Sequence, residues 1–202
     1  MKRGTRALGV AESFVGRDDA GARSTLCGAL VRADRQFDGL VYGSCTVGGT
    51  DATDAILTLF SELDREDVRY LVVAGVAIAW FNVVDLRRLH DELGVPVLDV
   101  TFEASAGLEP ALREQFSGDD LATRLDTLRA QPDRVAVDLD GHEVFVRAVG
   151  VDEERAARVV RGFTHAGGRP EPVRVARLCA RAGREWRERE NAGASDPSMA
   201  GD

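Results

Sequence analysis

Side chains able to do chemistry are concentrated in a few short stretches of this chain. Arg169, Glu171 and Arg174 frame a proline-flanked helix start, Pro170-Glu171-Pro172. Free N–H groups and cations at such a corner suit a phosphate. A structural loop in which Arg174 pairs with a nearby acid would use the same residues. Trp80-Phe81-Asn82 offers rings and an amide of the kind that hold an unstacked base. The competing reading puts Trp80 in the core, with Asn82 as a helix N-cap and Asp85 at N3. Asp51, with Asp54 behind it, has the pattern of a helix cap. Gly48-Gly49-Thr50 resembles a phosphate cradle but lacks the lysine and spacing of one. Glu12 closes an apolar stretch, either as a site carboxylate or as an acid facing water, and Asp18-Asp19 sit in a polar turn. His165, just before Gly167-Gly168, could touch a phosphate or polarise a water, whereas His90 reads as core and His142 as exposed.

Hydrophobic periodicity outlines the scaffold that must position these groups. Strands are expected over Ala7–Ser13, Thr25–Val31 and Gly39–Val47, then a helix with Ala55, Ile56, Leu59, Phe60 and Leu63 on one face. Arg69–Gly75 and Val95–Phe102 read as strands of a parallel βαβ unit, joined by a helix that buries Val83, Leu86, Leu89, His90 and Leu93 and stops at Gly94. Helices follow over Leu108–Phe116 and Leu121–Ala130. A hairpin joins Arg134–Leu139 to Glu143–Ala148 across Asp140-Gly141, a pair suited to positive φ. Helices over Asp152–Arg161 and Pro172–Arg184 end the domain at about residue 186, and residues 187–202 lack an apolar face and read as a disordered tail. Three meander strands, helix, strand, helix, strand is the element order of a ribonuclease H-like α/β fold.

Composition narrows the classes. The 202 residues carry 34 acidic against 26 basic groups, a net charge of -8, which lacks the broad basic field of a typical nucleic-acid binder. Lys2 is the only lysine, so the basic residues are otherwise arginine. An acidic, arginine-rich surface suits a high-salt cytoplasm, and a GC-rich genome gives the same bias. No apolar run approaches the ~20 residues of a membrane span. Met1-Lys2-Arg3-Gly4 leads straight into a strand, which predicts no signal peptide. Cys27, Cys45 and Cys179 fit neither a disulfide framework nor a zinc site, so a soluble cytoplasmic protein is expected.

Three stretches make a family resemblance specific. They are Arg6-Ala7-Leu8-Gly9-Val10, the run from Val73 through Trp80-Phe81-Asn82 to Asp85 with Leu93-Gly94-Val95-Pro96-Val97, and Gly167-Gly168-Arg169-Pro170-Glu171-Pro172-Val173-Arg174-Val175-Ala176. Over roughly residues 6–184 the chain resembles the archaeal endonuclease dU family. That family is similar to endonuclease V, which carries a comparable Pro-Glu-Pro-x-Arg stretch. The resemblance implies a ribonuclease H-like core and metal-dependent cleavage of DNA at deoxyuridine, a repair activity that would use Mg²⁺ or Mn²⁺. The ion would neutralise charge on the attacking and leaving oxygens from a set of converging carboxylates.

Two departures stand out against that pattern. Where the relatives place an aspartate after the Gly-hydrophobic pair of the first strand, this chain has Ala11, followed by Glu12. Where they have Asp-Gly at the end of the fourth strand, it has Ala74-Gly75. The resemblance therefore leaves Glu12 and Asp51 as catalytic residues and metal ligands, Arg169 and Arg174 as phosphate holders, and Trp80 or Asn82 as the contact to the base. The expected function is a divergent deoxyuridine-specific DNA endonuclease. The alternative is an inactive DNA-binding or protein-interaction module on the same scaffold.

Overall fold

The computed structural model describes residues 1–16, 22–104, 107–165 and 167–194. At its centre is β1 (Arg6–Ser13), buried over most of its length. β2 (Thr25–Arg32) pairs antiparallel with β1, and β3 (Phe37–Gly43) antiparallel with β2. After α1 (Ala52–Glu62), β4 (Val68–Val73) enters beside β1 in parallel. β5 (Ala77–Ile78) and β6 (Asn82–Val83) make a separate small hairpin, and α2 (Leu86–Leu93) leads to β7 (Val97–Thr101), parallel to β4. α3 (Glu109–Gln115) and α4 (Gly118–Arg129) precede the hairpin of β8 (Val135–Leu139) and β9 (His142–Val149). α5 (Glu153–Phe163) and α6 (Glu171–Ala194) follow. The main sheet runs β3-β2-β1-β4-β7-β9-β8. An antiparallel meander joined to a parallel pair is the expected ribonuclease H-like arrangement.

Alternation along β1 divides the core. Leu8 and Val10 join Ile56, Leu59, Leu86 and Leu89 under α1 and α2, whereas Ala11 faces Ala176 of α6. Under α5, Val159, Val160 and Phe163 pack with Val137, Val144 and Val146. Each fully buried Leu, Ile or Phe is worth about 1.5–3 kcal/mol relative to exposure. Gly9 is required by approach: a Cβ there would overlap the Pro172 backbone, so the start of α6 rests directly on the central strand. No helix among the described residues is long and apolar enough to cross a membrane.

Several boundaries differ from expectation for local reasons. β3 stops at Gly43, and Cys45–Gly49 turns back irregularly toward Ser24 and Ala22. Val83 belongs to β6, and Asp85, not Asn82, caps α2, accepting from the Arg87 and Arg88 N–H groups. α6 continues to Ala194 instead of fraying after Arg184. The Arg184–Glu188 pair and an Arg187 bond to the Arg23 carbonyl support its later turns without an apolar face. The hairpin turn is as read, with Asp140 at φ 54° and Gly141 at φ 87°. Asp18, Asp19 and residues 195–202 lie outside the described residues.

Candidate nucleic-acid site

The C-terminal ends of β1 and β4 lie side by side in the middle of the sheet, where the Ala74 N–H donates to the Val10 carbonyl (2.9 Å). Here Ala11 (2% exposed), Ala29 and Ala176 (each 0%) form a cluster, with Ala74 and Val175 packed against it. The fold thus brings together the two positions where the resemblance implies aspartates, and fills them with methyl groups.

Glu12 is the next residue along β1, so its side chain leaves from the opposite face. Its Oε2 is buried with no hydrogen-bond partner. Burial pushes the Glu12 carboxyl above its ordinary value, against smaller opposing pulls from the Ala79 N–H and the Arg177 guanidinium. Nearby, the Cys45 thiol is pushed up to about 11, chiefly by burial and partly by the fields of Asp51 and Glu12. Both acids therefore border one region.

Asp51 heads α1, but its side chain makes no cap bond to that helix. It turns instead toward the preceding loop. Its carboxylate accepts from the Thr46 N–H (2.9 Å), Thr46 Oγ1 (2.9 Å), Asn82 Nδ2 (2.7 Å) and Arg23 Nη1 (2.9 Å). Burial alone would raise the Asp51 carboxyl, but these donors together hold it below its ordinary value. The expected cap is supplied from elsewhere, because Asn82 Oδ1 accepts from the Ala52 N–H (2.9 Å). Asn82 is 0% exposed, and its Nδ2 also donates to the Thr46 carbonyl (2.9 Å). Every polar atom of this amide is committed inside the protein. Asn82 is a positioning residue for Asp51, and the expected direct contact to a base does not fit its burial.

Trp80 sits at the tip of the β5–β6 hairpin, where Ala79, Trp80 and Phe81 all adopt positive φ (41°, 55° and 60°). Each such non-glycine residue costs on the order of 1–2 kcal/mol, so neighbours must hold the turn. Trp80 is half-buried and packs with Phe81 and Phe116 at centroid distances of 6.3 and 5.5 Å. Gly48 lies beneath its indole, where a Cβ would collide with the ring, and the Gly48 N–H donates to the Ala79 carbonyl (2.8 Å). That close approach explains the Gly48-Gly49 pair without a phosphate.

Sequence reasoning missed the side chain that locks these loops. Arg124 on α4 is 2% exposed and donates to the carbonyls of Gly48, Gly49 (3.0 Å) and Phe81 (3.2 Å). It pairs with Asp120 and lies 4.0 Å from the Phe116 ring centroid. One buried guanidinium thereby ties the loop before Asp51 to the turn that presents Trp80. Nothing in the α4 sequence marks it, since its main acceptors are distant backbone carbonyls.

The two expected phosphate holders are otherwise engaged. Arg174 forms a two-oxygen pair with Glu171 (3.0 and 2.7 Å), the pairing weighed as the structural alternative. Arg169 stacks on Phe102, 4.1 Å from the ring centroid. His165 Nε2 is buried without a partner, and His90 is packed, bonded through Nδ1 to the Val95 carbonyl (2.8 Å). Asp99 was also missed, although an acid inside the apolar run Val97–Val100 is a visible signal. It is 0% exposed and pairs with Arg147 (2.9 Å), and burial pushes it up to about 6 despite Arg147 and the Gly75 N–H. It shares a face with Val97, which packs under α1 and α2, and so points away from the alanine cluster.

A divalent ion does not fit this donor set. Ala11 and Ala74 offer no side-chain ligand atoms, Asp51 has its carboxylate surrounded by donors, and Glu12 leaves β1 from the face opposite Ala11. Among the described residues, no group of three or more His, Cys, Asp or Glu could hold a metal ion.

Comparison with known proteins places this geometry. A family model described as Endonuclease dU matches residues 3–183. The UPF0215 protein of Thermococcus kodakarensis is 35% identical over 162 residues, covering 79% of this chain and 81% of that protein. Among solved structures, a protein of unknown function from Archaeoglobus fulgidus superposes with a TM-score of 0.76 at 23% identity, over 88% of this chain and 97% of the other. Endonuclease V of Ciona intestinalis, in complex with a 24mer DNA containing an inosine followed by a ribo-adenosine, gives a TM-score of 0.59 at 12% identity, over 90% and 86%. At these identities the two structures establish the fold alone.

Proposed function

The chain belongs to the endonuclease dU family, and from that premise we propose that it binds DNA carrying deoxyuridine without cutting it through a carboxylate-held metal ion. The observation that carries this reading is the alanine cluster, in which Ala11 and Ala74 stand where the resemblance implies metal-binding aspartates. Trp80, half-buried at the tip of a braced left-handed turn, supplies a ring to the base, and Asn82 and Arg124 fix the turn from behind. Anisotropy of a labelled single strand with one deoxyuridine, against its thymidine counterpart, tests the proposal. Selective saturable binding that persists in EDTA and weakens in Trp80→Ala is expected. Equal affinity for both strands removes deoxyuridine as the ligand, and no binding removes the reading.

One observation favours a second reading, in which the chain hydrolyses DNA at deoxyuridine in repair, with Mg²⁺ or Mn²⁺. Glu12 keeps a buried carboxylate oxygen unbonded in the region it shares with Asp51. On that reading Mn²⁺-dependent scission stops in Glu12→Gln, and scission that persists in the variant removes Glu12 as a ligand.

A further inference from the structure

Two of the three cysteines meet where α6 lies on β2. Cys27 is 0% exposed on β2, on the same face as Ala29 two residues along. Ala29 packs against Ala176 of α6, and Cys179 follows Ala176 by three residues on the same side of that helix. The Cys27 thiol accordingly lies within hydrogen-bonding reach of the Cys179 thiol. Tyr42 closes the pair from β3. It stands opposite Cys27 in the register, and its phenol donates to the Cys179 carbonyl (3.1 Å). Its ring lies against Gly183, one turn further along α6, where a Cβ would come within 2.7 Å. Both thiols are free.

Small side chains bring the two backbones close enough for a bond. Bridged cysteines need Cα atoms within about 7 Å of each other. α6 rests its first turn on the bare Gly9 backbone and sets Ala176 against Ala11 and Ala29, so it seats closely on β1 and β2 here. The two sulfurs also differ in the way a stepwise oxidation requires. Cys179 is partly exposed and can meet a small oxidant. Burial first, then the neighbouring Cys179, pushes the Cys27 thiol up to about 12. Cys27 therefore stays protonated and reacts only with an electrophile already against it. Cys45, also buried, has a different neighbour in Ser24 Oγ (3.2 Å).

We propose that Cys27 and Cys179 form a redox-sensitive pair, which a peroxide closes into a disulfide that fastens α6 to β2. The Cys179 sulfur attacks the peroxide, the O–O bond breaks, and a sulfenic acid and one water result. The Cys27 sulfur then attacks that of Cys179, the S–O bond breaks, and the hydroxyl leaves with the Cys27 proton as a second water. Two thiols are oxidised, one peroxide is reduced, and a dithiol reductant reverses the change. The test treats the full chain with hydrogen peroxide and then with dithiothreitol. After peroxide the mass falls by two hydrogens, a digest contains a peptide joining Cys27 to Cys179, and of the three thiols only that of Cys45 titrates in urea. The melting midpoint rises by about 5–15 °C and returns on reduction. Cys179→Ser gives neither the joined peptide nor the rise, whereas Cys45→Ser still gives the peptide. Three thiols surviving peroxide, a Cys179 carried on to the sulfinic acid with Cys27 free, or dimers joined through Cys179 would each overturn the pairing, whether or not the chain binds DNA. A joined peptide with an unmoved midpoint would overturn the fastening of α6. The peptide is read in the wild type, so the test stands even where a variant fails to fold.

Discussion

Replacing Arg124 tests whether one buried guanidinium holds the site loops in place. In Arg124→Ala, the Gly48, Gly49 and Phe81 carbonyls lose their donor, Asp120 loses its partner, and Phe116 loses the cation over its ring. An unsatisfied buried acceptor costs about 1–3 kcal/mol, and breaking a buried pair about 3–5. Asp120 is exposed at 59% and water can reach part of the gap, so the sum is well below simple addition. The expected loss is about 3–5 kcal/mol. For a chain of this size that lowers the melting midpoint by about 6–20 °C. Arg124→Lys keeps the charge but not the planar fork that reaches several carbonyls at once, and should fall between the two. Urea unfolding followed by tryptophan emission measures the change as a shifted midpoint at constant slope. A loss below about 1 kcal/mol in Arg124→Ala would refute the clamp, because the strained turn would then hold its shape unaided.

Other consequences follow from particular contacts. Asp99 has its folded pKa raised to about 6 from 3.8, so the native state binds the extra proton between those values and stability falls as pH rises through them. Relative to Asp99→Asn, the wild type should lose about 3 kcal/mol between about pH 3 and 7, and parallel stability–pH curves would contradict this. Gly9→Ala places a methyl on the Pro172 backbone and should cost about 3 kcal/mol or more, with α6 loosened in hydrogen exchange. Ala11→Asp/Ala74→Asp buries two carboxylates in a methyl cluster and should melt lower than the wild type in EDTA. Added Mn²⁺ should then raise its midpoint while leaving the wild type's unchanged. An Mn²⁺ shift in the wild type would reveal a metal site elsewhere.

Much of the scaffold was legible because periodicity dictates it. The meander, the parallel pair and the Asp140-Gly141 hairpin all follow from apolar alternation and turn chemistry over short windows. Alternation also placed Glu12 on the face opposite Ala11, which is where the chain departs most from the family pattern. The site itself was legible only as a list of neighbourhoods. Asp51 and Asn82 each carried the local pattern of a cap, yet they exchange roles across a separation of 31 residues, Asn82 capping α1 while Asp51 gathers the loop. No local rule encodes such an exchange. Arg124 was invisible for the same reason, and so was the bend of Arg169 onto Phe102. The turns of α6 beyond Arg184 read as tail because they have no apolar face. They are held instead by the Arg184–Glu188 pair and by the Arg187 bond to the Arg23 carbonyl.

The central proposal is that this chain recognises deoxyuridine in DNA without a carboxylate-held metal ion. One experiment addresses both halves: an end-labelled strand with a single deoxyuridine, incubated in high KCl with Mn²⁺ or with EDTA, read in parallel for mobility shift and for scission. The account predicts a shift in both conditions, stronger than for the thymidine strand, and an uncut strand throughout. Mn²⁺-dependent scission next to the deoxyuridine, lost in Glu12→Gln, would contradict it and show that neighbouring acids have taken over from the missing aspartates.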